Sequence, residues 1–155
     1  MKRRVVFAAF LSFATVAVAG ELRLTPAEIA ALVSADGGAG TSGVAGIRTT
    51  VLHGDPAKAG PYTIEIRVPP NTRIDAHSHR DDRSAVVVSG TWYFGYGSTA
   101  DEALVKELPP GSFYSEPANV LHFAMTRTLP AVVYITGWGP TDTRYGKAAA
   151  VPRRP

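Results

Sequence analysis

From about residue 47 onward, apolar and polar positions alternate along the chain. Tyr62, Ile64, Ile66 and Val68 are separated by Thr63, Glu65 and Arg67. On extended backbone successive side chains point to opposite faces, so this pattern predicts a half-buried antiparallel strand. Residues 47–52 read as a strand closed by His53-Gly54-Asp55-Pro56, and residues 84–88 as a buried strand ended by Ser89-Gly90. Trp92, Phe94 and Tyr96 alternate up to Gly97, and residues 103–108, 112–115, 121–126 and 131–135 complete the set. Short strands divided by Gly, Pro and Asn turns at regular intervals predict an all-β sandwich or barrel. No internal repeat is visible, so one barrel is expected.

The pattern ahead of the strands is different. Thr25-Pro26-Ala27-Glu28 is a capping box with proline at the first helical position, which predicts one short N-terminal helix running on through Ile29 to Val33. The glycine-rich stretch 37–46 ends it as a linker. Earlier still, Met1-Lys2-Arg3-Arg4 precedes a short apolar run and the small residues Ala17-Val18-Ala19. That is the three-part layout of a secretory signal peptide, with cleavage expected after Ala19. The apolar run is too short for a stable membrane span, so no stable membrane anchor is expected after cleavage and the protein is read as periplasmic or secreted. The expected organisation is a signal peptide over 1–19, helix and linker over 20–46, the barrel over 47–139 and a C-terminal tail over 140–155.

The signal segment changes the meaning of the net charge. Of 16 Lys and Arg, three (Lys2, Arg3, Arg4) lie within it, which leaves 13 against the 13 Asp and Glu. A neutral domain argues against nucleic acid as a partner, since that would require a basic patch within the fold. The chain has no cysteine, so disulfides and thiolate chemistry are excluded. Chemistry is left to histidine, carboxylate, hydroxyl or a metal.

Of the four histidines, His77 and His79 are two apart. On a strand that spacing puts both imidazoles on one face, where a divalent ion can accept both nitrogens. Gly90 lies downstream of this pair; Gly111 is followed after five residues by Pro117, then by Asn119, and after two more by His122. In this arrangement the chain resembles the cupin superfamily. Its first motif runs glycine, spacer, His-x-His, three or four residues, Glu, six residues, Gly. Its second runs Gly, five residues, Pro-x-Gly, two residues, His, three residues, Asn. Residues 70–90 and 111–126 follow those frames. The resemblance implies a single cupin (jelly-roll) β-barrel, often paired as a homodimer through an exposed sheet. It also implies one divalent metal ion, Fe, Mn or Zn, on His77, His79 and His122.

The fourth ligand does not carry over. The usual glutamate position is Arg83, whose guanidinium cannot ligate a cation. Three arrangements stay open: a three-histidine site with free positions, a substitute carboxylate from Asp81 or Asp82, or a site without metal. Asn71 and Asn119 stand where relatives place glycine, and asparagine tolerates the left-handed backbone those turns require. Thr126 replaces the final asparagine. Tyr93 and Tyr114 are candidate proton donors, Glu116 reads as a water-facing turn residue, and His53 as a turn histidine. Arg83 either adds positive charge to the pocket or points to solvent and pairs with Asp81 or Asp82. Imidazole must be neutral to ligate, so metal affinity is expected to fall through about pH 6.5.

The functional expectation is an exported metal-dependent enzyme acting on an anionic small-molecule substrate, with dioxygenase-like or isomerase-like chemistry. The alternative is a non-catalytic cupin that binds a metal or small ligand.

Overall fold

The computed structural model describes residues 20–146. The segment 1–19, read above as a signal peptide, and most of the expected C-terminal tail (147–155) lie outside these residues. Among the described residues eleven strands follow one short helix: α1 (Pro26–Ala30), β1 (Ser34–Ala35), β2 (Arg48–His53), β3 (Gly60–Val68), β4 (Arg73–Ser78), β5 (Arg83–Gly90), β6 (Trp92–Tyr96), β7 (Lys106–Leu108), β8 (Phe113–Glu116), β9 (His122–Met125), β10 (Ala131–Gly139) and β11 (Arg144–Tyr145). A 3-10 turn, Glu102–Leu104, takes the first two residues of the strand expected over 103–108.

All pairings are antiparallel. One sheet runs β1-β2-β3-β10-β5-β8 and the other β11-β4-β9-β6-β7. Together they form a jelly-roll sandwich whose two sheets do not close into a continuous barrel. The inward positions of β3 are the alternating set read from the sequence, Tyr62, Ile64, Ile66 and Val68, all buried. They pack with Ala85 and Val87 of β5, Val133 and Ile135 of β10, and Ile74, Trp92, Phe94 and Ala124 of the facing sheet. Full burial of one such side chain contributes about 1.5–3 kcal/mol. A smaller cluster of Phe123, Met125 and Ala100 lies on the outer side of the second sheet, with Tyr93 against it.

Two asparagines hold the turns as expected. Asn71 (φ 54°) and Asn119 (φ 62°) are left-handed, a conformation that a short polar side chain adopts at low cost. Asn71 N–H donates to Arg127 O (2.7 Å) and Asn119 N–H to His79 O (2.7 Å). The second bond ties the turn before β9 to the histidine strand. Thr126 closes the other end: its hydroxyl donates to Pro69 O (2.5 Å) and accepts from Thr72 N–H (3.0 Å).

The helix stops at Ala30 instead of reaching Val33. Only Ile29 is buried, while Leu32 and Val33 are exposed, and a helix without a face to pack is marginal. The stretch expected as a tail after residue 139 returns to the fold. Arg144 and Tyr145 pair with Ser78 and His77 of β4, so β11 extends the sheet that carries the histidines. The glycine-rich stretch meets it: Thr143 Oγ1 donates to Thr41 O (2.8 Å) and Tyr145 Oη to Ser42 O (2.5 Å). These two segments form a strap.

Candidate metal centre

β4 delivers His77, His79 follows at its end, and His122 opens β9 directly opposite His77 in register. One ring nitrogen from each of the three lies within 4.8 Å of the others. All three side chains are buried. His53 ends β2 and lies outside this cluster.

The backbone fixes the tautomer of every ring. His77 Nδ1 contacts Asp75 O at 2.7 Å, His79 Nδ1 contacts Asp142 O at 2.5 Å, and His122 Nδ1 contacts Val120 O at 3.0 Å. A carbonyl oxygen only accepts, so each Nδ1 carries the proton and each Nε2 presents a lone pair. This is the outer hydrogen bonding that orients histidine ligands around a metal. His122 Nε2 is buried without a hydrogen-bond partner, a costly state for a polar atom. A divalent cation is the natural complement of such a set, and the residues fit one.

Burial lowers the His77 pKa to about 4, with His122 adding to the effect, and lowers that of His79 to about 3, with Arg83 adding to it. Burial lowers His122 as well. The expected loss of ligation near pH 6.5 is therefore displaced toward acid, because burial already keeps the imidazoles neutral.

Arg83 is the main surprise. It points inward, and its Nε donates to Glu116 Oε2 at 2.6 Å. Nη2 pairs with the same oxygen and lies 2.8 Å from His79 Nε2; Nη1 donates to Gly40 O at 3.2 Å. Neither Asp81 nor Asp82 is its partner. The sequence reading of Glu116 as a water-facing turn residue is corrected: it is 3% exposed and directly opposite Arg83 in the β5–β8 ladder. Its Oε2 lies 3.6 Å from both His79 Nε2 and His122 Nε2. Burial alone would raise the carboxyl, but Arg83 and the neighbouring imidazoles hold it down at about 2. The positive bias expected from Arg83 is thus cancelled by a buried carboxylate. Period two along β8 was the available signal, since it sets Tyr114 and Glu116 on one face with Phe113 and Ser115 on the other.

The other candidates separate cleanly. Asp81 is buried but accepts from Tyr62 Oη (2.9 Å) and Thr141 Oγ1 (2.5 Å). Asp82 is exposed and accepts from Ala118 N–H (2.8 Å). Both carboxylates are occupied by bonds away from the histidine cluster. Tyr93 lies on the opposite face of β6, under the Arg127 guanidinium at 4.4 Å. Tyr114 does line the site, its ring 4.2 Å from Phe94, and burial raises its pKa well above normal.

Above the polar floor is a cavity of about 30 Å³ walled by Ile47, Ile66, Ile74, Trp92, Phe94 and Ile135. It has room for about two water molecules. The Trp92 indole Nε1 is buried there without a partner.

Sequence comparison finds no matching family model and no curated relative. Solved structures do match in fold. The polyketide cyclase RemF from Streptomyces resistomycificus aligns over 86% of this chain and 90% of its own, with a TM-score of 0.67 and 15% identity. A RmlC-like cupin from Shewanella frigidimarina aligns over 77% and 92%, with a TM-score of 0.57 and 17% identity. A sugar phosphate isomerase of the cupin superfamily from Silicibacter pomeroyi aligns over 66% and 67%, with a TM-score of 0.52 and 17% identity. With its two antiparallel sheets and its histidines in register between β4 and β9, the chain has the fold of the cupin superfamily.

Proposed function

We propose that this protein is an exported metal-binding cupin that works as a metal-dependent enzyme on a small anionic molecule, with dioxygenase-like or isomerase-like chemistry. The observation that carries the reading is the convergence of three buried histidines, with His122 Nε2 buried and without a hydrogen-bond partner. A divalent ion of Fe, Mn or Zn at this position would supply Lewis acidity, or dioxygen activation in the case of iron. The protein's own groups would do the rest. The backbone carbonyls hold the imidazoles in one tautomer, the apolar wall excludes water, and Trp92 Nε1, a donor only, favours an acceptor such as a carboxylate or enolate oxygen. The fold itself assigns no reaction, although the matched structures include a cyclase and an isomerase. The segment 1–19 supports export, and the exposed pair Val86 and Phe113 on the outer face of the larger sheet supports a homodimer.

The small cavity favours a second reading, in which the protein holds a metal or small ligand without turning it over. The cavity of about 30 Å³ holds only a small ligand within its walls. Reconstitution with Fe, Mn, Zn, Ni and Cu followed by elemental analysis tests the metal, and oxygen uptake or isomer formation across carboxylates, diketones and phenols tests the chemistry. About one ion per chain, lost in His122→Ala and retained in His53→Ala, is the expected result. Stoichiometric metal without turnover leaves the second reading, and no metal in any reconstitution overturns both.

A further inference from the structure

Arg83 stands where the sequence resemblance implies a glutamate, and Glu116 faces it across the β5–β8 ladder. The glutamate position on β5 holds arginine, and a carboxylate arrives at the same place from the facing residue of β8. Oε2 of that carboxylate meets Arg83 Nε and Nη2 and stands 3.6 Å from two imidazole Nε2 atoms. Ligand atoms bonded at about 2.1 Å around a tetrahedral ion lie about 3.4 Å apart. Oε2 thus has ligand spacing to His79 and His122 without any movement of the backbone.

The guanidinium stands where an ion would compete with it. Nη2 engages both Glu116 Oε2 and His79 Nε2. Arginine only donates, so both acceptors give it lone pairs that a cation would otherwise take. Resting on the metal-centre reading above, we infer that Glu116 is the fourth ligand of the ion and that Arg83 is its internal competitor, displaced from His79 Nε2 and Glu116 Oε2 when the ion binds. The consequence is a metal site with a built-in threshold: three imidazoles and a carboxylate bind strongly, but only after a buried ion pair is broken. Breaking a buried pair is costly because it strands a charge. The pair therefore reduces affinity for any ion unable to gain from the carboxylate.

The test is Zn(II) and Co(II) affinity of the full chain, by competition with a chromophoric chelator, together with the Co(II) visible spectrum. Four proteins are compared: wild type, Arg83→Met, Glu116→Gln and the double variant. Arg83→Met removes the competitor and should tighten binding by about tenfold or more. The double variant carries no stranded charge, so it guards against misfolding of Glu116→Gln; relative to Arg83→Met it should lose about tenfold or more and show altered Co(II) bands. Equal affinity and identical spectra for Arg83→Met and the double variant would remove Glu116 from the ligand set. Unchanged affinity on Arg83→Met would remove the competition. Either result leaves the three-histidine site standing, whereas absence of binding in all four proteins overturns that site and the inference together.

Discussion

His77 and His79 are residues whose solvation dominates their chemistry. Burial holds their pKa values at about 4 and about 3, against 6.5 in the unfolded chain. Between those values the unfolded chain binds more protons than the folded one, so the stability they contribute is fully present above pH 6.5. It is lost as the pH falls through 6.5 toward 4 for His77 and toward 3 for His79. Each imidazole contributes a slope of at most about 1.4 kcal/mol per pH unit in that window. Urea denaturation of chelator-treated protein at successive pH values should show stability falling below pH 6.5, and His77→Ala or His79→Ala should flatten the fall. A profile unchanged by both substitutions would mean that these rings do not control it. His77 and His79 were readable as a pair because alternation and spacing are properties of one strand at a time, and His122 joined them only through the cupin resemblance of residues 111–126. The Arg83–Glu116 pair was not readable, because its partners are 33 residues apart and meet only through the β5–β8 register. A carboxylate before proline looks the same in sequence whether it faces water or a guanidinium.

At the scale of elements, turns set the register that brings those partners together. Gly90 ends β5 with φ 71°, and a Cβ there would fall 1.9 Å from Pro130 O, a backbone atom at the start of β10. No side-chain movement relieves that contact. Gly90→Ala should destabilise the protein by more than about 2 kcal/mol, measured by thermal or urea unfolding, whereas Asn119→Gly, which keeps the left-handed turn, should be nearly neutral. Gly90 was visible as a strand terminator, although the close approach of β10 was not. β10 also continues past the expected end at residue 135, through Gly139. Its last residues lack apolar alternation because Gly137 lies against the Tyr62 hydroxyl and the Asp81 carboxylate, where a Cβ would come within 2.6 Å of both. Strand there is maintained by ladder bonds to β3 throughout and to β5 as far as Gly137, a tertiary cause that local pattern does not encode. The helix shows the reverse, a legible capping box whose length depended on packing.

For the whole molecule, the feature with the widest reach is the strap. Residues far apart in sequence, Thr41 with Thr143 and Ser42 with Tyr145, are bonded to each other beside the histidines. The same glycine-rich stretch accepts from Arg83 through Gly40 O. Local opening of such a segment costs less than global unfolding and sets its own clock. A captured ion could then leave no faster than the strap parts. Zinc transfer to a strong chelator should accordingly reach a rate that no longer rises with chelator concentration, and Tyr145→Phe, which deletes one strap bond, should raise that plateau. A rate that stays proportional to chelator would show direct attack on an accessible ion. If the plateau is found, occupancy of this protein would reflect the conditions under which the ion was first loaded, and only slowly the ions around it afterwards.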